Sequence, residues 1–238
     1  MPALPALARR ERIPEIMDDP ALDPAQHRRA LDGLARLNRA SGAAGVLWKP
    51  VRDLARQHTG RPLRVLDVAC GSGDVPIALV REARRSGVAF EADGCDISPT
   101  AVETAARTAA AAGVPARFFT HDAIRDPLPA GYDVVTCSLF LHHLPDDDAV
   151  AVLRRMKAAA GSLVLVSDLA RSRFGYAAVW VACRALTRSP VVHFDGPASV
   201  RSAFTPAEAL DLATRAGLIG ATVHARFPCR FLLRWERP

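Results

Sequence analysis

The 238-residue sequence predicts an α/β fold in which a doubly wound, mostly parallel sheet carries helices on both faces. Three observations support this. From residue 63 onward, short apolar runs rich in Val, Leu and Ile alternate with helical patterns long enough to serve as crossovers between parallel strands. The first of these runs hands over to a helix through a glycine-rich turn, where such sheets place their ligands. The length suffices to bury a sizeable core, and the balance of 50% hydrophobic with 24% charged residues belongs to a globular chain rather than a disordered one.

The elements follow in order. Asp23-Pro24 caps and opens a first helix, in which Leu31, Leu34, Ala35 and Leu37 recur at helical spacing. Gly42 and Gly45 break it, and Val46 to His58 reads as a second helix in which Pro50 must sit early or divide it. Residues 1–60 are thus expected to form a helical N-terminal cap, and residues 61–238 the main domain. Strands are expected at Leu63 to Ala69, Phe90 to Asp96, Ala116 to Thr120, Tyr132 to Leu139 and Ser162 to Asp168. Helices fall between them, from Val75, from Pro99 (begun by Ser98) and from Asp146. Residues 171–204 interrupt this alternation with an aliphatic and aromatic helix, Phe174 to Leu186, followed by a loop at His193-Phe-Asp-Gly-Pro197. Thr205-Pro-Ala-Glu208 matches a capping box, and Gly217 stops the helix it opens. Ala221 to Phe227 and Arg230 to Trp235 close the chain as a hairpin.

The formal charge of +6 and a pI near 9.5 invite a nucleic-acid reading. The charge comes from 29 Arg against 2 Lys, beside 44 Ala, the skew that GC-rich coding produces. The Arg residues are scattered and not interleaved with aromatics, so no nucleic-acid partner is expected. The five cysteines are odd in number and form no C-x-x-C pair, which argues against a disulfide framework or a zinc site and for a reducing, cytoplasmic setting. Met1 to Ala8 is too short for a secretory leader, and Phe174 to Leu186 is too short to span a bilayer. No metal site is expected, and the sequence is silent on oligomeric state.

Asp67-Val-Ala-Cys-Gly-Ser-Gly73 lies at the strand-to-helix turn, and Asp96 ends the next strand. Glycines there allow a tight turn and close approach to a ligand at a helix N-terminus, and an acid at the second strand end accepts from ribose hydroxyls. A dinucleotide fingerprint needs a third glycine where Pro76 stands, and no Walker lysine follows. An acid before the glycines suits a cationic ligand.

The stretch Val65-Leu-Asp-Val-Ala-Cys-Gly-Ser-Gly-Asp74 resembles the first motif of class I S-adenosylmethionine-dependent methyltransferases of the small-molecule type. Asp96-Ile97, His121-Asp122-Ala123 and Tyr132 to Leu139 extend the likeness over residues 63–170. The resemblance implies a Rossmann-like sheet with an antiparallel last strand and S-adenosylmethionine as cofactor. It also implies cofactor contacts from Asp67, Ala69, Gly71, Gly73, Asp96, Ile97, Asp122, Ala123 and Ser138, with Leu139 on the reaction side. More loosely, the insert and tail resemble bacterial methyltransferases of quinone, phenolic-lipid and polyketide pathways.

Methyl transfer to a neutral hydroxyl requires alignment and removal of a proton. His142 and His143 follow the fourth strand, and His193 with Asp195 forms a second candidate pair in the insert. The expected reaction is O-methylation of a small hydrophobic, phenolic or polyketide-type substrate with His-assisted deprotonation. Insert residues 171–204 would form a lid, and a lipophilic substrate could bring the protein to membranes. Carbon methylation of a quinone-type ring, RNA or protein methylation, and a non-catalytic cofactor-binding module stand as alternatives.

Overall fold

The computed structural model describes residues 7–238 apart from Pro20 and Thr59, so most of the Met1 to Ala8 stretch lies outside the described residues. Five strands are parallel: β1 (Leu63–Val68), β2 (Phe90–Asp96), β3 (Phe118–Thr120), β4 (Tyr132–Ser138) and β5 (Ala160–Leu169). Two more, β6 (Thr222–Arg226) and β7 (Arg230–Glu236), form the terminal hairpin, and β7 runs antiparallel to β5. The resulting order, β3-β2-β1-β4-β5-β7-β6, reverses direction between β1 and β4. A cleft therefore opens at the carboxyl ends of these two strands, and ligands bind there in doubly wound sheets.

Alternation along each strand supplies both faces of the sheet. Val65 faces α2 (Ala43–Ala55) and α3 (Asp74–Arg85), packing with Trp48, Val51 and Leu79. Its neighbour Leu66 faces the opposite layer, α5 (Asp146–Ala159) and α8 (Pro206–Arg215), among Leu153, Met156 and Leu212. The capping box of α8 is formed: Thr205 accepts from the Glu208 N–H, and Glu208 accepts from the Thr205 N–H. Helix α4 (Pro99–Ala111) is capped by Ser98 as expected.

Over the carboxyl edge lie α1 (Pro24–Ala40), α6 (Arg173–Leu186) and α7 (Pro190–Ser202). Their small cluster of Ala30, Cys183, Val191 and Val192 fastens α1 to the insert. Gly33 permits this contact, since a Cβ there would stand 3.2 Å from Thr187 Oγ1. Among the described residues no helix is long and apolar enough to cross a membrane.

Three local expectations are corrected. Gly45 does not break a helix: Gly42, in the left-handed region at φ +65°, makes the turn alone, and α2 begins at Ala43. Pro50 is accommodated inside α2 without dividing it, buried beside Leu47 and Val51. The expected loop at His193 to Pro197 is helical and forms the middle of α7, which Ser189 and Pro190 open. Burial of Val191, Val192, Ala198 and Val200 outweighs the turn preference of Asp195-Gly-Pro197 and the hydrogen bond that Pro197 cannot make.

Candidate active site

The turn after β1 is built from backbone conformations that few residues adopt. Ala69, Gly71 and Gly73 have φ of 54°, 53° and 74°. Gly73 is required twice over, because a Cβ would also come within 2.9 Å of Ala105 and Phe118. Gly71 is open on its Cβ side, with nothing nearer than a Leu31 methyl at 4.0 Å, so a ligand can approach its backbone closely. Asp96 closes the turn: its two carboxylate oxygens accept from the Gly71 and Ser98 N–H groups, both at 2.9 Å. Each oxygen keeps a lone pair for a hydroxyl. Burial pushes the Asp96 carboxyl above its ordinary range.

Asp67 sits deeper. Only 1% exposed, it accepts from the Thr136 hydroxyl of β4 at 2.6 Å, and burial pushes its pKa up to about 7. Ile97 is 61% exposed at the mouth of the turn, a free apolar surface on which a flat ring can pack. Asp122 accepts from the Ile124 and Arg125 N–H groups, which holds buried Ala123 in place. Ser138 ends β4 with its hydroxyl buried and lacking a hydrogen-bond partner among the described residues. This donor set, an open glycine backbone flanked by carboxylates and an exposed apolar platform, fits S-adenosylmethionine.

Beside it stands a charged cluster. His142 is fully enclosed, and its Nδ1 donates to Asp168 at 2.6 Å while Nε2 lies 3.5 Å from Glu15. Burial pulls its pKa down, but Asp168 and Glu15 outweigh burial and hold it up at about 10. Both carboxylates are held below their ordinary range, against burial, chiefly by His142. His143 stacks against His142 with ring centroids 4.3 Å apart, and its Nδ1 lies 2.9 Å from Asp18. Glu15, His142 and His143 place ligand-type atoms within 4.8 Å of one another, the one such trio among the described residues.

These side chains border a cavity of about 270 Å³. Its walls are mainly apolar: Leu34 and Leu37 from α1, Leu139 after β4, and Val179, Ala182 and Leu186 from α6. Leu139 reaches it from a left-handed backbone conformation, φ 56°, pinned by its N–H donating to Ser167 O. The polar lining comprises Glu15, the two histidines, Asn38, Ser41, Ser199 and Arg230.

Of the sequence-derived candidates, His142 and His143 reach this cavity, and the glycine turn, Asp67 and Asp96 gather at the β1 and β2 ends beside it. His193 and Asp195 do not pair. Two positions apart on α7, they diverge: His193 Nε2 bonds to Thr187 O, while Asp195 accepts from the Ile16 and Met17 N–H groups. The insert contributes Val179 to the cavity wall, whereas Phe174 and Val181 face outward. Sequence reading missed Glu15, Asp168, Asn38 and Arg230. Only Asp168 carried a signal, as an acid at the end of the fifth strand.

Residues 65–160 match the family described as a methyltransferase domain. The observed strand order and glycine turn are those that the resemblance to class I S-adenosylmethionine-dependent methyltransferases implies. It is 36% identical over 134 residues to a demethylmenaquinone methyltransferase of Thermus thermophilus, covering 55% of this chain and 58% of that protein. It is 30% identical over 157 residues to a ubiquinone biosynthesis O-methyltransferase of Methylococcus capsulatus, covering 59% and 64%. The chain thus aligns with less than two thirds of either relative's length. A solved O-methyltransferase from neocarzinostatin biosynthesis, in complex with S-adenosyl-L-homocysteine and 1,4-dihydroxy-2-naphthoic acid, superposes with a TM-score of 0.62. At 22% identity, over 94% of this chain and 61% of that one, this similarity shows the fold.

Proposed function

We propose that this chain transfers a methyl group from S-adenosylmethionine to the hydroxyl of a small hydrophobic acceptor of phenolic or polyketide type. One observation carries the reading: an apolar cavity with a histidine pair at its polar side is joined to the glycine turn through Asn38, which lines the cavity and donates to Asp74, the residue after Gly73. Gly71 and Gly73 would hold the methionine end, Asp96 the ribose, and Ile97, Asp122 and Ala123 the adenine. When bound, the cofactor supplies an electrophilic methyl group on a sulfonium. Within the expected N-terminal cap, Glu15 and α1 cover the cavity while α2 packs on the sheet face, and residues 171–204 act as the lid, together excluding water from the transfer.

The two histidines have different roles. His142, whose two ring nitrogens face Asp168 and Glu15, keeps its proton at neutral pH and holds Glu15 and the adjoining His143 ring in place. His143 is partly open to solvent, so it takes the hydroxyl proton and can release it to water, while Asp18 orients its ring. His193 has no part in this scheme, because its Nε2 is engaged by Thr187 O. A phenolate is also nucleophilic at ring carbon, so carbon methylation of a quinone-type ring is the second reading, in keeping with a relative named for demethylmenaquinone.

Two measurements test the proposal. Calorimetry with S-adenosylhomocysteine should show binding that Asp96→Ala weakens about tenfold or more, the loss of one to two hydrogen bonds to a charged group. Unchanged affinity would remove the site assignment. Methyl-labelled cofactor should then pass its label to a phenolic fraction of a metabolite extract, with a rate that His143→Ala lowers about 100-fold. No labelled small molecule in any extract would overturn the reading, and NMR of the product separates oxygen from carbon methylation.

A further inference from the structure

Arg230 opens β7 and reaches across to the C-terminal end of α1. It is 5% exposed, yet it forms no ion pair among the described residues. One terminal nitrogen, Nη2, donates to Asn38 Oδ1 at 2.9 Å and to Ser41 Oγ at 3.2 Å. The other, Nη1, is buried and has no hydrogen-bond partner among the described residues. Asp74 and Asp168 are close enough to act on the guanidinium through space, but neither bonds to it. Asp74 instead accepts from Asn38 Nδ2 at 2.9 Å, so Asn38 is a spacer that fixes the guanidinium plane.

Arginine stays charged at any working pH, and a guanidinium out of water is strongly disfavoured unless its N–H groups are met. Arg230 is the one Arg or Lys among the residues lining the apolar cavity. Its unmatched N–H groups and positive charge call for a planar monoanion, and a carboxylate matches the fork of a guanidinium. The anion must enter with the molecule that fills the cavity. The cofactor residues Asp67, Gly71, Gly73 and Asp96 are not part of the cavity lining, whereas α6 forms its wall, which places Arg230 on the acceptor's side.

We propose that Arg230 is the anion-binding residue of the acceptor pocket, so that the methyl acceptor is an aromatic acid: a phenol that also bears a carboxylate. This deepens the function proposed above and rests on it for the identity of the acceptor pocket. The guanidinium grips the carboxylate, and the apolar walls of α1 and α6 hold the ring. Arg230 thereby selects acidic over neutral phenols without taking part in proton transfer.

The test is a binding comparison on the full chain saturated with S-adenosylhomocysteine, using 1-hydroxy-2-naphthoate and its neutral counterpart 1-naphthol as probes. The wild type should bind the acid about 10- to 100-fold more tightly, the worth of a charge-assisted hydrogen-bonded pair. Arg230→Met should bring the two affinities together, and Arg230→Lys should keep part of the preference. Wild type with no preference for the acid overturns the proposal. So does an Arg230→Met protein that keeps the preference but loses affinity for S-adenosylhomocysteine, because the guanidinium would then serve the cofactor's own carboxylate. Should Arg230→Met fail to fold, the wild-type ratio and Arg230→Lys decide. If the acid preference holds while no phenol accepts label, the methyl-transfer reading falls and the anion site stands.

Discussion

His142 keeps a charge inside the protein because two carboxylates enclose it, and this ties folding to pH. Its folded pKa of about 10 lies above the ordinary imidazole value of 6.5. The stabilisation it brings is therefore complete below about pH 6.5 and is lost as the pH rises toward 10. On the acid side Asp168 and Glu15, both held low, contribute above the ordinary carboxylate range and lose that contribution as the pH falls through their folded values. Breaking such a buried pair costs on the order of 3–5 kcal/mol. His142→Gln should thus lower the melting temperature near neutrality, and the difference from wild type should shrink as the pH is raised from 7 to 10. A constant difference across that range, followed by thermal melts, would show that His142 is not charged in the folded protein. Local pattern made the His142-His143 pair visible. It could not reveal their partners, and it paired His193 with Asp195 because proximity along the chain was the only proximity it could use.

At the scale of elements, the contact between α6 and α7 decides the shape of the cavity. Gly196 lets the two helices touch: a Cβ there would overlap Cys183 Sγ and stand 3.2 Å from Val179 Cγ1. Gly196→Ala must push α6 away from α7, an overpacking that costs about 1–3 kcal/mol. The variant should melt earlier and bind hydrophobic probes such as 1-naphthol more weakly. Its affinity for S-adenosylhomocysteine should remain near that of wild type, because the turn after β1 is built elsewhere. An equal loss for both ligands would mean that the cavity and the cofactor turn move as one body. The helical course of α7 was hidden for a related reason, since Asp195-Gly-Pro197 is a strong turn signal wherever burial does not override it.

Across the whole molecule, the N-terminal segment is stitched into the main domain. Arg10 donates from Nε to Ser202 O and from Nη2 to His142 O and Leu144 O, and it stacks 3.7 Å above the Phe204 ring. Asp195 holds the turn at Ile16–Asp18 from the other side. Glu15 and Asp18 reach the histidines only because these contacts hold. Arg10→Ala, which leaves several carbonyls unmatched, should destabilise the protein by about 1–3 kcal/mol. Urea unfolding should then show one cooperative transition at a lower midpoint. A separate early transition in the variant would instead identify the first 60 residues as an independent folding unit. Several arginines of this basic chain serve such structural contacts, as with Arg10 on Asp146, Arg61 on Asp133 and Arg171 on Glu208.

By itself, the sequence determined the sheet, the capped helices and the glycine turn. Hydrophobic period, caps and left-handed glycines are settled by neighbours along the chain, so they can be read from a string. The tertiary structure alone decided which charges meet. Asp18 and His143 are 125 positions apart, and Asn38 and Arg230 are 192. Such pairs arise only when strand ends, cap and hairpin converge on one edge of the sheet. There, exclusion of water makes each pairing strong and each unmatched group informative.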